Sequence, residues 1–192
     1  MNYDFLIVLI SEFENNFIIQ DLKQYLISNF NFNIHIFEFE LFRKIKNKLS
    51  WLKQYNIAQR GNQFNGEDIL DILAKIKSEN EFNFVKCILG VIELDLYVPD
   101  LNFIFGLASY QNKVCLVSTA RIYSDIYSIF LERLIKESVH EIGHAFFGLN
   151  HCSNRKCVMA FSNSLFDTDY KNKEFCSDCK NKIIKKMKDF KF

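Results

Sequence analysis

A mixed α/β (α+β) fold, a sheet with helices packed on it, follows from three features of this chain. Apolar runs of strand length alternate with stretches of helical period. One run, Val85–Leu94, is apolar enough to lie buried on both faces of a sheet. A long helical segment then leads into a cysteine-rich stretch, which suits a small C-terminal lobe.

Taken in order, Phe5–Ile10 reads as a buried first strand, and Asn15–Ser28 as an amphipathic helix with Phe17, Ile18, Leu22, Tyr25 and Leu26 on one face. Asn33–Phe39 alternates loosely and predicts a second strand, in which His35 has a hydrogen-bond partner rather than a metal. Gly66–Lys77 predicts a helix with the stripe Ile69, Leu70, Leu73 and Ile76. Val85–Leu94 is the expected central strand, with Cys87 inside it as a small buried hydrophobe, like Cys115 later. Asn102–Tyr110 and Lys113–Thr119 are expected as two strands of an antiparallel hairpin turned at Gln111-Asn112. Ser124 or Asp125 is the expected cap of a helix running to about Phe147. Asn181–Phe190 closes the chain as a helix with the stripe Ile183, Met187 and Phe190.

The chain has 192 residues, 49% of them apolar and 16% aromatic, enough for one domain with a substantial core. The single proline leaves no rigid linker, so residues 1–192 are expected as one domain, with an N-terminal lobe over 1–148 and a C-terminal lobe over 149–192. A net charge of +1 argues against a dedicated nucleic-acid binder. Arg43–Lys48 carries four cations and Lys180–Lys191 six lysines; both read first as solvated faces, with nucleic acid or an acidic partner as the alternative. Asp4 before the six-residue run Phe5–Ile10 suits neither a signal peptide nor a membrane span, so a cytoplasmic protein is expected.

The chemistry is concentrated in His140-Glu141-Ile142-Gly143-His144, followed by Gly148 and His151. Residues four apart share a helix face, so His140 and His144 can grip one ion. Glu141 then sits where a carboxylate can take a proton from metal-bound water. Gly148 can end the helix in a left-handed conformation and return the chain to deliver His151. Three histidines leave one zinc position for water, which marks a catalytic site. Cys152 and Cys157, then Cys176 and Cys179, form two close pairs suited to a closed, four-thiolate structural zinc. Two disulfides are the alternative, set against the reducing compartment expected above. Adjacent His151 and Cys152 would join the two sites. A non-catalytic zinc-stabilised module that binds peptide or protein, and zinc-assisted deacylation of a small substrate, remain competing functions; Glu141 discriminates against the first, since a structural site has no need of it.

The run HEIGHAFFGLNHC-SNRK-C-V-M and the later CSDC resemble the archaemetzincins, a branch of the metzincin metallopeptidases. Asp95–Tyr97, Asn102–Gly106 and Ser118–Arg121 resemble segments of that family too, and Arg60–Phe64 does so more loosely. The resemblance implies a metzincin-like sheet, an active-site helix, a zinc-stabilised C-terminal lobe and hydrolysis of peptide bonds. It implies zinc at both ligand sets, two ions per chain, and peptide or protein as partner; that neither nucleic acid nor membrane is a partner is expected from the charge balance and the short apolar run above. It also implies that Met159 is the methionine lying beneath the catalytic zinc, and that an edge strand at Asn102–Tyr110 pairs with extended substrate.

Overall fold

The computed structural model describes residues 3–9, 17–30, 32–38, 56–82 and 84–189. The basic run Arg43–Lys48, and the expected ends at Ile10, Asn15, Phe39 and Phe190, lie outside them. The main sheet has five strands: β1 (Tyr3–Leu9), β2 (Phe32–Glu38), β5 (Cys87–Ile92), β8 (Gly106–Ser109) and β9 (Val114–Ser118). Their order is β2-β1-β5-β9-β8, all parallel except β8, which runs antiparallel to β9. A smaller sheet has the order β3-β4-β6-β7, from β3 (Gln59–Arg60), β4 (Gln63–Asn65), β6 (Leu96–Val98) and β7 (Leu101–Ile104).

The strands of the main sheet deliver alternate residues to two cores, as a period of two requires. Phe5, Ile7, Leu89, Val91, Cys115 and Val117 face one core together with α1 (Phe17–Phe30) and α3 (Tyr127–Ala145). Leu6, Val8, Ile88, Ile92, Val114 and Leu116 face the other, with α2 (Gly66–Ser78) and the small sheet. Every residue of β5 is buried, as a central parallel strand covered on both sides must be. His35 is held by Asp4, its Nε2 lying 3.3 Å from Oδ1. The helix α2 carries the expected stripe, Ile69, Leu70, Leu73 and Ile76, and Asn65 caps it by accepting from the Glu67 N–H.

Three expectations need correction. Asn102–Tyr110 is not one strand: the chain leaves the small sheet after Ile104 and joins the main sheet at Gly106, with Phe105 buried between. The Ser118 N–H bonds the Phe105 carbonyl at 2.8 Å, which pins the crossover onto the end of β9. Neither Ser124 nor Asp125 caps α3, because their side chains are spent locally. Ser124 Oγ accepts from the Ile126 N–H, and the Asp125 carboxylate from the Tyr123 hydroxyl. The closing helix α5 begins at Ser177 rather than Asn181, and Met187 on it is exposed while Ile183 is buried. The hairpin expected at Gln111-Asn112 does form, joining β8 to β9.

A short helix, α4 (Leu165–Tyr170), was not visible as a periodic stretch. Ser164 caps it by exchanging hydrogen bonds with Asp167. It is tied to α3 by polar contacts: Arg133 donates to both carboxylate oxygens of Asp169 at 2.6 Å, and Lys136 Nζ donates to the Asp169 carbonyl. The Arg133 hydrogen bond holds the Asp169 carboxyl below the usual carboxylate range. A depressed folded-state pKa gives stability above the unfolded value of about 3.9 and loses it as pH falls through the lower value. Asp169 is partly solvated, so screening limits the gain to about 1 kcal/mol. Asp169→Asn should therefore lower the unfolding midpoint near pH 7, with the gap to wild type closing as pH falls below the unfolded carboxyl value of about 3.9 and through the lowered folded one.

Candidate metal centre and cleft

Helix α3 places His140, Glu141 and His144 on one face, and its C-terminus returns the chain at Gly148, whose φ is 61°. Gly148 N–H bonds the His144 carbonyl and Leu149 N–H the Gly143 carbonyl, so the turn satisfies the last helical acceptors. A Cβ at residue 148 would fall 2.5 Å from the Tyr110 ring, which adds a steric reason for glycine to the conformational one.

Each helical imidazole is oriented by a backbone carbonyl. His140 Nδ1 donates to the Val158 carbonyl at 2.8 Å, and His144 Nδ1 to the Leu149 carbonyl at 2.6 Å. With both Nδ1 atoms protonated, the neutral rings turn bare Nε2 lone pairs toward each other at 3.1 Å. Two acceptors facing at that distance call for a cation between them. Burial lowers the proton affinity of all three rings, most strongly for His140, which favours the neutral, ligating form. His151 completes the set, its ring 5.3 Å from that of His140 and 4.7 Å from that of His144. One nitrogen from each ring lies within 4.8 Å of the others. Zn–N bonds of about 2.0–2.1 Å fit such a triangle.

The four sulfurs also cluster within 4.8 Å of one another. Cys152 Sγ is 3.8 Å from Cys176 Sγ, and Cys157 Sγ 3.7 Å from Cys179 Sγ. Disulfides need about 2.05 Å. Tetrahedral zinc with bonds of about 2.3 Å spaces its sulfurs by roughly 3.8 Å, so the set fits one ion. The Cys179 N–H, at the start of α5, draws the Cys176 thiol down to about 7. Cys87 and Cys115 lie buried in β5 and β9, as expected.

The two clusters share a scaffold. The Cys152 N–H bonds the Met159 carbonyl at 2.9 Å, next to the Val158 carbonyl that holds His140. Met159 is fully buried under α3 at Gly143, where a Cβ would fall 2.3 Å from its sulfur.

A cleft of about 650 Å³ runs along α3, lined by His140, Glu141, His144 and His151, by β7 and β8, and by Phe161–Asn163. Glu141 is buried in its wall, and burial first, then the Glu137 charge, raises its proton affinity well above that of an ordinary carboxyl. Gly106 makes room for it: a Cβ there would lie 2.6 Å from Glu141 Oε1 and 2.7 Å from the Leu116 carbonyl. β8 ends the sheet order, so its outer edge carries no strand among the described residues. All eight residues singled out from the sequence fall in these two clusters and the cleft. Gly106 and Phe161 were missed. Glu137, one turn before Glu141 on the same helix face, could have been found from its spacing.

An α/β fold with a histidine triad and a buried carboxylate in an open cleft is the chemistry of a metal-dependent hydrolase. Residues 6–186 match the model of peptidase family M54. The archaemetzincin of Methanopyrus kandleri is 36% identical over 157 residues, 82% of this chain and 86% of that one. The archaemetzincin of Pyrococcus horikoshii is 44% identical over 139 residues, 69% of this chain and 72% of that one. The crystal structure of the Methanopyrus kandleri protein superimposes with a TM-score of 0.77 at 28% identity, covering 97% of this chain and 96% of that one. A zinc-dependent peptidase from Methanocorpusculum labreanum gives 0.73 at 25% identity, with 93% and 99% covered. This chain belongs to peptidase family M54, alongside the archaemetzincins, and is a zinc metallopeptidase. Among the described residues, no helix is long and apolar enough to cross a membrane.

The contact under α3 yields a test. Gly143→Ala should displace Met159 and cost about 1–3 kcal/mol of stability, read by thermal unfolding, with weaker retention of metal in dialysis.

Proposed function

We propose that this protein hydrolyses peptide bonds with His140, His144 and His151 as ligands of a catalytic zinc, Glu141 as general base, and Cys152, Cys157, Cys176 and Cys179 around a second, structural zinc. One observation carries the reading: a carboxylate is buried in the same cleft wall as three converging imidazoles. Burying a carboxyl is costly, and a purely structural metal site has no use for it. The competing module that merely binds peptide gives no reason for that cost.

When bound at the triad, zinc lowers the pKa of a coordinated water toward about 7 and polarises the substrate carbonyl. The rest is done by side chains. His140 and His144 keep their Nδ1 protons on the Val158 and Leu149 carbonyls, which leaves Nε2 free to ligate. Glu141, with its raised proton affinity, takes the proton of the attacking water on a carboxylate oxygen and delivers it to the departing amine nitrogen. The outer edge of β8, which carries no strand among the described residues, offers backbone groups to an extended peptide and so orients the scissile bond across the cleft.

The same reading takes residues 1–192 as a single metzincin-type domain, with a lobe over 1–148 and a zinc-stabilised lobe over 149–192. Its partner is peptide or protein rather than nucleic acid or membrane. We place it in the cytoplasm, where clustered thiols stay reduced and free to hold metal.

Metal analysis paired with peptide cleavage tests the assignment. Wild type should hold two zinc ions per chain, and Glu141→Gln should keep both while losing at least about 100-fold in turnover. Equal turnover by the variant would remove Glu141 from the mechanism. Cys152→Ser should lose zinc from the four-thiol site and also depress activity, because the Cys152 N–H and His151 share one stretch of backbone anchored on Met159. Full activity in a Cys152→Ser protein depleted of one zinc would separate the two sites.

A further inference from the structure

We propose that the cleft beside Glu137 is a side-chain subsite that selects peptides presenting an uncharged hydrogen-bond donor, a carboxamide or a hydroxyl. This rests on the peptidase reading above and adds its substrate class.

Glu137 lies on α3 one turn before His140 and Glu141, and lines the cleft with them. Its side chain is 3% exposed and that of Lys171 1%, yet the two form an ion pair, Lys171 Nζ lying 3.0 Å from Glu137 Oε1. Thr168 Oγ1 donates to the same oxygen at 3.0 Å. Glu137 Oε2 has no hydrogen-bond partner among the described residues. The Lys171 ammonium sits near the carboxylate but out of hydrogen-bond alignment, and makes no hydrogen bond among the described residues. Ser162 lines the same cleft, and its hydroxyl is likewise buried without a partner.

Buried polar atoms are paired in folded proteins with few exceptions, and unpaired ones tend to mark a ligand site. Here the Ser162 hydroxyl is left over in that sense, and in the same cleft Glu137 keeps a carboxylate oxygen, Oε2, that makes no hydrogen bond among the described residues, next to the groups of the proposed reaction centre. Charge decides what suits them. Lys171 already balances Glu137, so an incoming ammonium or guanidinium would bring an uncompensated charge into a low-dielectric site. An incoming carboxylate would meet Glu137 itself. An apolar side chain would leave both atoms unpaired and dry. A neutral N–H or O–H donor pairs with Oε2 at no cost in charge, and a carboxamide oxygen can also accept from Ser162.

Selection of binders from a peptide library on zinc-loaded Glu141→Gln protein reads this without turnover, beside the cleavage profile of wild type. One library position should be enriched in Gln, Asn, Ser or Thr over Leu and Met by about tenfold or more. In Glu137→Met/Lys171→Met, which replaces a buried pair with apolar side chains of similar reach, that enrichment should vanish or turn toward Leu and Met. An unchanged profile in the double variant overturns the subsite. So does a Glu141→Gln selection, without the double change, that enriches cations, anions, apolar residues or nothing in place of the neutral donors; that selection stands alone if the double variant does not fold. Failure of the peptidase reading shows separately, as zinc-loaded wild type that cleaves no member of the library.

Discussion

Two imidazole nitrogens facing each other at 3.1 Å, both stripped of protons by the carbonyls behind them, are the constraint on which the rest of this molecule turns. Helical spacing alone puts His140 and His144 on one side of α3 without fixing where the rings point. Their orientation comes from Val158 and Leu149, residues of the irregular chain that follows the helix. That chain is in turn held by Met159 against Gly143, and by the four sulfurs gathered near the start of α5. Binding a metal relieves the repulsion between the lone pairs, so metal and fold stabilise each other.

The same helix carries an unusual load of buried charge. Lys136, Glu137 and Glu141 are all buried on α3, and Lys171 joins them from beyond α4. Such groups persist only when paired or when function requires them. Lys136 reaches Glu132 and the Asp169 carbonyl, while Glu137 is matched by Lys171 and Thr168. Glu141 alone among them rests against a glycine, in the cleft that Glu137 also lines. The polar contacts from α3 to α4 also set the wall of that cleft, because Phe161–Asn163 leads directly into α4. Lys186, which belongs to the run of lysines on α5, donates to the Gly148 carbonyl instead of simply facing water, and so braces the turn that carries His151.

The parts of the site legible in the sequence are those whose partners lie close along the chain. A four-residue helical step and two short cysteine spacings bring ligands together almost regardless of the surrounding fold. The buried strand Cys87–Ile92 was legible because a parallel strand covered on both faces must be apolar throughout. What was misread depended on a partner further along the chain in one case and on a rival local turn in the other. The stretch from Asn102 to Tyr110 has strand composition along its length, and only the bond from Ser118 to the Phe105 carbonyl divides it between two sheets. Ser124 looks like a helix cap, but it lies two residues before the cap position at Ile126 and its hydroxyl closes a local turn there.

By itself the sequence determined which atoms could ligate metal, which carboxylate stands beside them, and that alternating strands and helices would carry them, because composition and short-range periodicity act locally. Only the tertiary structure decided which way the imidazoles turn, that residue 106 must lack a side chain, and that Glu137 meets a lysine 34 positions later at the edge of the cleft. Apart from the local contact of His144 with the Leu149 carbonyl, those outcomes are set by carbonyls, backbones and charges brought together from segments well separated along the chain, which a short periodic window does not reveal.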